Sequence, residues 1–213
     1  MNTINKKILL LSAHTDDAEW GCGASILKWK KAGFDIHSVA FSGCEESLPA
    51  NVENQTLRKE FQASHDALGI SKDNRRVLDF KVRYFPRDRQ LILETLIKLR
   101  TEIKPGTILV HSSFDTHQDH ATLHQEAYRA FKNSTILGYE VTWNNRSDDL
   151  SFFNEVTEEQ VCGKIKSIEC YQSQLFRLSD PARVVNALAT VRGAQSGCRL
   201  AEAFEVIRWV DRY

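Results

Sequence analysis

Residues 8 to 23 read ILLLSAHTDDAEWGCG, an apolar run that ends in His14-Thr15-Asp16-Asp17 with Cys22 and two glycines close behind. A turn between a buried strand and a helix needs Ser, Asn or Gly. It does not need an imidazole and two carboxylates within four residues. Either these groups bind something together, or the carboxylates cap the following helix. A second cluster, HSSFDTHQDHATLH at 111 to 124, sets His117 and His120 three apart with Asp119 between them. Histidine nitrogen and carboxylate oxygen are zinc ligands, and a catalytic zinc keeps three protein ligands and one open position. A two-His, one-carboxylate set drawn from His14, Asp16, Asp17, His117, Asp119 and His120 fits that pattern. The groups left over suit proton transfer and stabilisation of an oxyanion beside water activated by the metal.

Such chemistry requires the two clusters to meet, and the elements around them supply a way. KILLLSAH (7 to 14) reads as a buried strand, GASILKWKKAG (23 to 33) as a helix with a Gly stop, and FDIHSVAFS (34 to 42) as the next strand. NQTLRKEFQASHDALG (54 to 69) is a helix, RRVLDF (75 to 80) is strand-like, and RQLILETLIKLRTEIKPG (89 to 106) is a helix stopped by Pro-Gly. TILVHS (107 to 112) is a third buried run, DHATLHQEAYRAFK (119 to 132) a helix and TILGYEV (135 to 141) a further parallel strand. Segments 157 to 174 and 181 to 197 look helical, and EAFEVIRWV (202 to 210) is a strand or edge element. Strands alternating with helices call for an α/β fold: an open, mainly parallel sheet with helices on both faces. No linker or repeat breaks it, so residues 1 to 213 are read as one domain. Ligands of such sheets sit outside the carboxyl ends of the strands, which is where both clusters fall.

Composition narrows the partners. Lys+Arg and Asp+Glu both total 28, so the chain has no net charge with which to bind nucleic acid by counterion release. Its one basic run, KDNRRVLDFKVR (72 to 83), reads as a solvated turn and strand edge. No stretch approaches the about 20 apolar residues of a membrane span, so no stable membrane insertion is expected. The start MNTINKK is too short for a signal peptide. Five cysteines, odd in number and without a CxxC pair, point to a reducing, cytoplasmic setting. No phosphate-binding glycine fingerprint supports a nucleotide cofactor.

The residues carry a resemblance. AHTDDAEWGCGA (13 to 24) resembles the AHPDDE motif of the LmbE-like, or PIG-L, family of zinc-dependent N-acetylglucosaminyl deacetylases, and DTHQDH (115 to 120) resembles its HPDH motif. TLRKEFQASHDALG resembles the family's Arg-bearing helix, and KIKSIECYQSQ and RGAQSGCRLAEAFEV its C-terminal segments. The resemblance implies a Rossmann-like fold and hydrolysis of the N-acetyl group of an N-acetylglucosamine-type conjugate, a small molecule. It implies zinc ligands His14, Asp17 and His120, with Fe2+ as an alternative metal. Asp16 is then the general base for zinc-bound water, and His117 the charged group beside the oxyanion. Asp119 holds a neighbouring histidine, and Arg58 belongs to the sugar site. Two departures stand out: Thr15 replaces the motif's proline and Ala18 its glutamate, with Glu19 next. Neither position is a ligand; the changes bear on loop rigidity and on support of the site. Another single-metal amidase, or a sugar-binding module with a structural metal, is the competing reading. A homo-oligomer is compatible with everything above.

The other conspicuous residues have bland roles available. His124 is one turn past His120 and suits packing, while His111 is either a supporting group or core. Cys22 between two glycines suggests close helix-to-sheet packing. Tyr139, Glu140 and Trp143 form either an aromatic wall for a sugar or ordinary core.

Overall fold

The structure is a computed structural model that describes residues 5–49, 52–147, 149–177 and 180–211. Most of the MNTINKK leader (residues 1–4) lies outside them. In chain order the elements are β1 (Lys7–Ser12), α1 (Asp17–Lys31), β2 (Asp35–Ala40), α2 (Thr56–Ala67), β3 (Arg75–Val77), α3 (Phe85–Ile103) and β4 (Thr107–His111). There follow α4 (Gln118–Ala130), β5 (Thr135–Tyr139), β6 (Phe152–Glu155), α5 (Glu158–Glu169), α6 (Pro181–Ser196) and β7 (Ala201–Arg208).

The strands form one sheet in the order β3-β2-β1-β4-β5-β7-β6. The first five are parallel, while β7 runs antiparallel to both β5 and β6. Strand β1 shows why its sequence is continuously apolar. Leu9 and Leu11 pack with α3 and α4 on one face, and Ile8 and Leu10 pack with α1 on the other. A strand covered by helices on both faces has no polar side. The strand order reverses between β1 and β4, and the crevice at such a reversal opens at their carboxyl ends. Helices α5 and α6 add an outer layer against α1 through Ala24, Val161, Ile168, Val185 and Ala189.

Three elements depart from expectation. Helix α1 starts at Asp17 rather than Gly23 and contains the Gly-Cys-Gly stretch, with Cys22 out of helical geometry (φ −149, ψ 23). Just past that kink, Glu202 accepts from the Ala24 and Ser25 N–H groups, at 3.2 and 2.6 Å. The buried Lys164 ammonium balances Glu202 from 2.6 Å. A Cβ on Gly21 would sit 2.1 Å from the Tyr139 ring, so the close packing expected of this stretch is real. Strand β3 is shorter than expected, although Leu78 and Phe80 still donate to Ala40 and Phe41 alongside β2. Finally, β7 is not an edge: the four-residue β6, unforeseen, covers it.

Candidate metal centre

The loop after β1 carries His14 and Asp16, and α1 opens with Asp17. The loop after β4 carries Asp115 and His117, and the first turn of α4 carries Asp119 and His120. Because β1 and β4 pair directly, both clusters arrive at one place. His14 Nδ1 lies 3.3 Å from Asp17 Oδ2 and 3.0 Å from His120 Nε2, and the latter pair is 3.4 Å apart. Two ligand atoms at about 2.0–2.1 Å from a tetrahedral zinc are about 3.3 Å apart, so this triangle has the dimensions of one face of such a shell.

The far nitrogens are held as ligand histidines require. Asp119 Oδ2 is 3.2 Å from His14 Nε2, and Asp115 Oδ2 is 2.7 Å from His120 Nδ1. A carboxylate on one ring nitrogen draws the proton there and turns the lone pair of the other toward the shared point. Two lone pairs and a carboxylate oxygen then converge, an arrangement that a cation relieves. Burial alone lowers His14 and raises Asp17, yet their neighbours win. Asp17 and Asp119 help to hold His14 well above the usual histidine range, and the surrounding histidines hold Asp17 well below the carboxylate range.

The helix-capping alternative fails for both carboxylates. Asp16 occupies the N-cap of α1, but its side chain caps nothing. Asp17 Oδ2 accepts instead from the His14 N–H at 2.7 Å. Asp16 lines the cavity, where burial and the adjacent Asp17 push it up to about 6.

His117 also lines the cavity, but not as the charged group expected of it. Its Nδ1 accepts from the Asp119 N–H at 3.2 Å as the N-cap of α4. A doubly protonated imidazolium has no acceptor, so this bond fits neutral His117 with its proton on Nε2. Burial and the nearby His120 and His14 lower it in the same direction. Its ring stacks on His120 at 4.5 Å and meets His14 edge-on at 4.9 Å.

Asp119 has further partners. Besides His14 it accepts from the Arg83 and Phe85 N–H groups, at 2.6 and 3.3 Å, and so ties the loop before α3 to the centre. Arg58 departs from its expected place. It does not line the cavity; its guanidinium binds Glu45 and Asp79 and the carbonyls of Val77 and Leu78. Glu45, Asp79 and the two carbonyls claim the fork, and among the described residues the arginine on the cavity wall is Arg83.

Asp115 escaped the sequence reading. Its one local signal is an Asx-type turn, with Oδ1 accepting from the His117 N–H at 2.8 Å. His111 lies beside the triangle: its Nε2 is 3.4 Å from Asp17 Oδ2 and accepts from the Ala13 N–H at 3.0 Å, and burial brings its pKa down to about 4. His124 bonds the His111 carbonyl at 2.9 Å. Glu19 turns beneath the loop, where Ser64 and Tyr171 donate to its Oε1; the Tyr171 hydroxyl is also 2.5 Å from the Thr15 carbonyl. That contact holds the loop at the position where the motif's proline is missing.

The cavity over the centre measures about 250 Å³. Trp20 and Trp143 form part of its wall, edge to face at 5.0 Å. Of the 138–143 stretch, then, Trp143 faces the cavity, while Tyr139 is buried against Leu11 and His111 and Glu140 pairs with Arg192.

Comparison with known proteins follows this geometry. Residues 9–131, more than half of the chain and both clusters with it, match the family model for PIG-L, GlcNAc-PI de-N-acetylase. The chain is 28% identical over 188 residues to the uncharacterized deacetylase YaiS of Escherichia coli K12, spanning 81% of this chain and 95% of that one. N,N'-diacetylchitobiose deacetylase from Pyrococcus horikoshii superposes with a TM-score of 0.76 at 20% identity, covering 95% of this chain and 84% of that one. GalB, the 4-carboxy-2-hydroxymuconate hydratase from Pseudomonas putida KT2440, superposes at 0.79 with 18% identity, covering 97% and 99%. At such identities the two solved structures establish a shared fold, and one of them performs a hydration rather than a deacetylation.

Proposed function

Since the chain belongs to the PIG-L (LmbE-like) deacetylase family, we propose that it is a metal-dependent hydrolase that removes the acetyl group from an N-acetylglucosamine-type conjugate. The observation that carries the reading is the triangle of His14 Nδ1, Asp17 Oδ2 and His120 Nε2, sized for zinc, at the floor of a cavity lined by a fourth and a fifth catalytic-type group. Those three atoms would hold the metal, which when bound supplies a Lewis acid and acidified water at neutral pH. Asp16 takes the proton of the attacking water. His117 donates its Nε2 proton in a hydrogen bond to the oxygen that gains charge in the tetrahedral transition state. Asp16 then returns a proton to the departing nitrogen, leaving acetate and the free amine. Asp119 and Asp115 keep the ligand histidines in the tautomers this needs. Residues 1–213 act as one LmbE-like domain, in the cytoplasm. The reading of the compartment is supported by five free cysteines, and among the described residues no helix is long and apolar enough to cross a membrane.

The test is amine release by the zinc-replete protein across a panel of free and conjugated N-acetyl amino sugars, beside a chelated sample. Chelator-sensitive release from any member is expected. A protein that binds one metal tightly yet releases no amine is instead an amidase for another substrate or a sugar-binding module.

A further inference from the structure

Among the described residues that line the cavity, Arg83 is the sole Lys or Arg, and no carboxylate among the described residues pairs with it. Its guanidinium makes one hydrogen bond, from Nη2 to the Glu46 carbonyl at 3.4 Å. Neighbouring arginines are committed elsewhere: Arg58 to Glu45 and Asp79, Arg87 to Asp88, Arg89 to Glu126. The backbone at Arg83 is also unusual. Its φ of 71° lies in the left-handed region, which a non-glycine residue keeps only when its surroundings impose it. Here they do so from both sides. The Arg83 N–H donates to Asp119 Oδ2 at 2.6 Å, and its carbonyl accepts from Gln118 Nε2 at 2.6 Å. Asp119 is the carboxylate that also holds His14, so the position of Arg83 is tied to that of the metal triangle. A planar guanidinium with most of its donors open, on an exposed side chain whose backbone is tied to the reacting centre, is a fork for a carboxylate or phosphate. The cavity floor carries Asp16 and Asp17, which repel an anion; among the described lining residues, Arg83 is where the wall offers a permanent cation.

We propose that Arg83 is an anion subsite and a specificity determinant: the conjugate bound here carries a phosphate or carboxylate on the group attached to its amino sugar, and Arg83 pairs with it. The identity of the sugar rests on the deacetylase reading; the anion preference does not.

Isothermal calorimetry on the zinc-loaded protein tests it with three deacetylated probes: glucosamine 1-phosphate, a carboxymethyl glucosaminide and the neutral methyl glucosaminide. At least one charged probe is expected to bind about tenfold or more tightly than the neutral one, and whichever leads names the anion. Arg83→Asn, a residue that tolerates the left-handed backbone, should bring all three within about twofold. Arg83→Lys should retain part of the preference, since it keeps the charge and loses the fork, and Arg87→Ala, outside the cavity, should retain all of it. Equal affinities in the wild type, no binding by any probe, or a preference that survives Arg83→Asn would overturn the proposal. The deacetylase reading fails separately, when the N-acetylated counterparts release no amine although the anion preference holds.

Discussion

Asp16 and Asp17 are chain neighbours with different surroundings. Three histidines hold Asp17 low, whereas for Asp16, which faces the cavity, burial and the adjacent Asp17 outweigh the pull of His14. Asp16→Asn should therefore keep the metal while kcat falls by roughly 10²–10⁴-fold, the usual worth of a positioned general base. Metal analysis together with amine release checks this; near-native turnover would remove Asp16 from the mechanism. Asp115 makes the complementary case, since it touches His120 but not the metal triangle. Asp115→Asn should weaken zinc binding by roughly 10–100-fold, as loss of a carboxylate behind a ligand histidine does. Competition with a chelator measures it, and unchanged affinity would mean that His120 is oriented by its stacking on His111 and His117 alone.

At the scale of elements, α1 is the part on which the centre depends most. It presents Asp17 at its first residue and Trp20 one turn later, then breaks at Cys22 and resumes under the cap supplied by Glu202. Lys164 on α5 and Glu202 on β7 are nearly fully buried, so this cap joins three elements. Lys164→Met would leave the Glu202 charge without its counter-ion and should cost about 3–5 kcal/mol in a denaturant titration. Restoring neutrality with Lys164→Met plus Glu202→Gln should recover part of that loss. A single variant as stable as the wild type would show that the two N–H groups suffice for Glu202. Gly21→Ala tests the same helix from the sheet side. Its methyl would collide with the Tyr139 ring, which lies fully buried, and the melting temperature should drop by several degrees, as about 1–3 kcal/mol of overpacking predicts.

For the whole molecule, the metal triangle links binding to stability. His14 and Asp17 stand on one crossover and His120 on another, so a metal that bridges them joins the β1 and β4 halves of the sheet. Zinc at about 1,000 times its Kd should add about 4 kcal/mol to the unfolding free energy, and the gain should vanish with chelator. The measurement is a pair of thermal melts, with His120→Ala as the variant that should show no zinc-dependent rise. A rise that persists in His120→Ala would place the ion elsewhere.

Much of this was open to reading from the chain alone. The β1 run, the helices with Gly or Pro-Gly stops and the α/β alternation are local patterns, and the parallel order of β1 to β5 follows from them. So does the arrival of both polar clusters at strand ends. Donor types and spacing in AHTDD and HQDH pointed to metal-ligand chemistry among six residues without any knowledge of distance. What tertiary structure alone decided was the partner of each long or ambiguous side chain. Arg58 could reach a sugar or a strand end, and the carbonyls of Val77 and Leu78 with Glu45 and Asp79 lay nearer. His117 had a proton to gain or lose, and in the fold its Nδ1 meets the Asp119 N–H of α4, a bond that favours the neutral ring. Asp115 had no assigned role until the fold set it against His120, and β6 is too short to show a period without β7 beside it. Periodicity and turn chemistry act over a few residues and are written in sequence; hydrogen-bond choice depends on what the fold brings within about 3 Å, often from a hundred residues away.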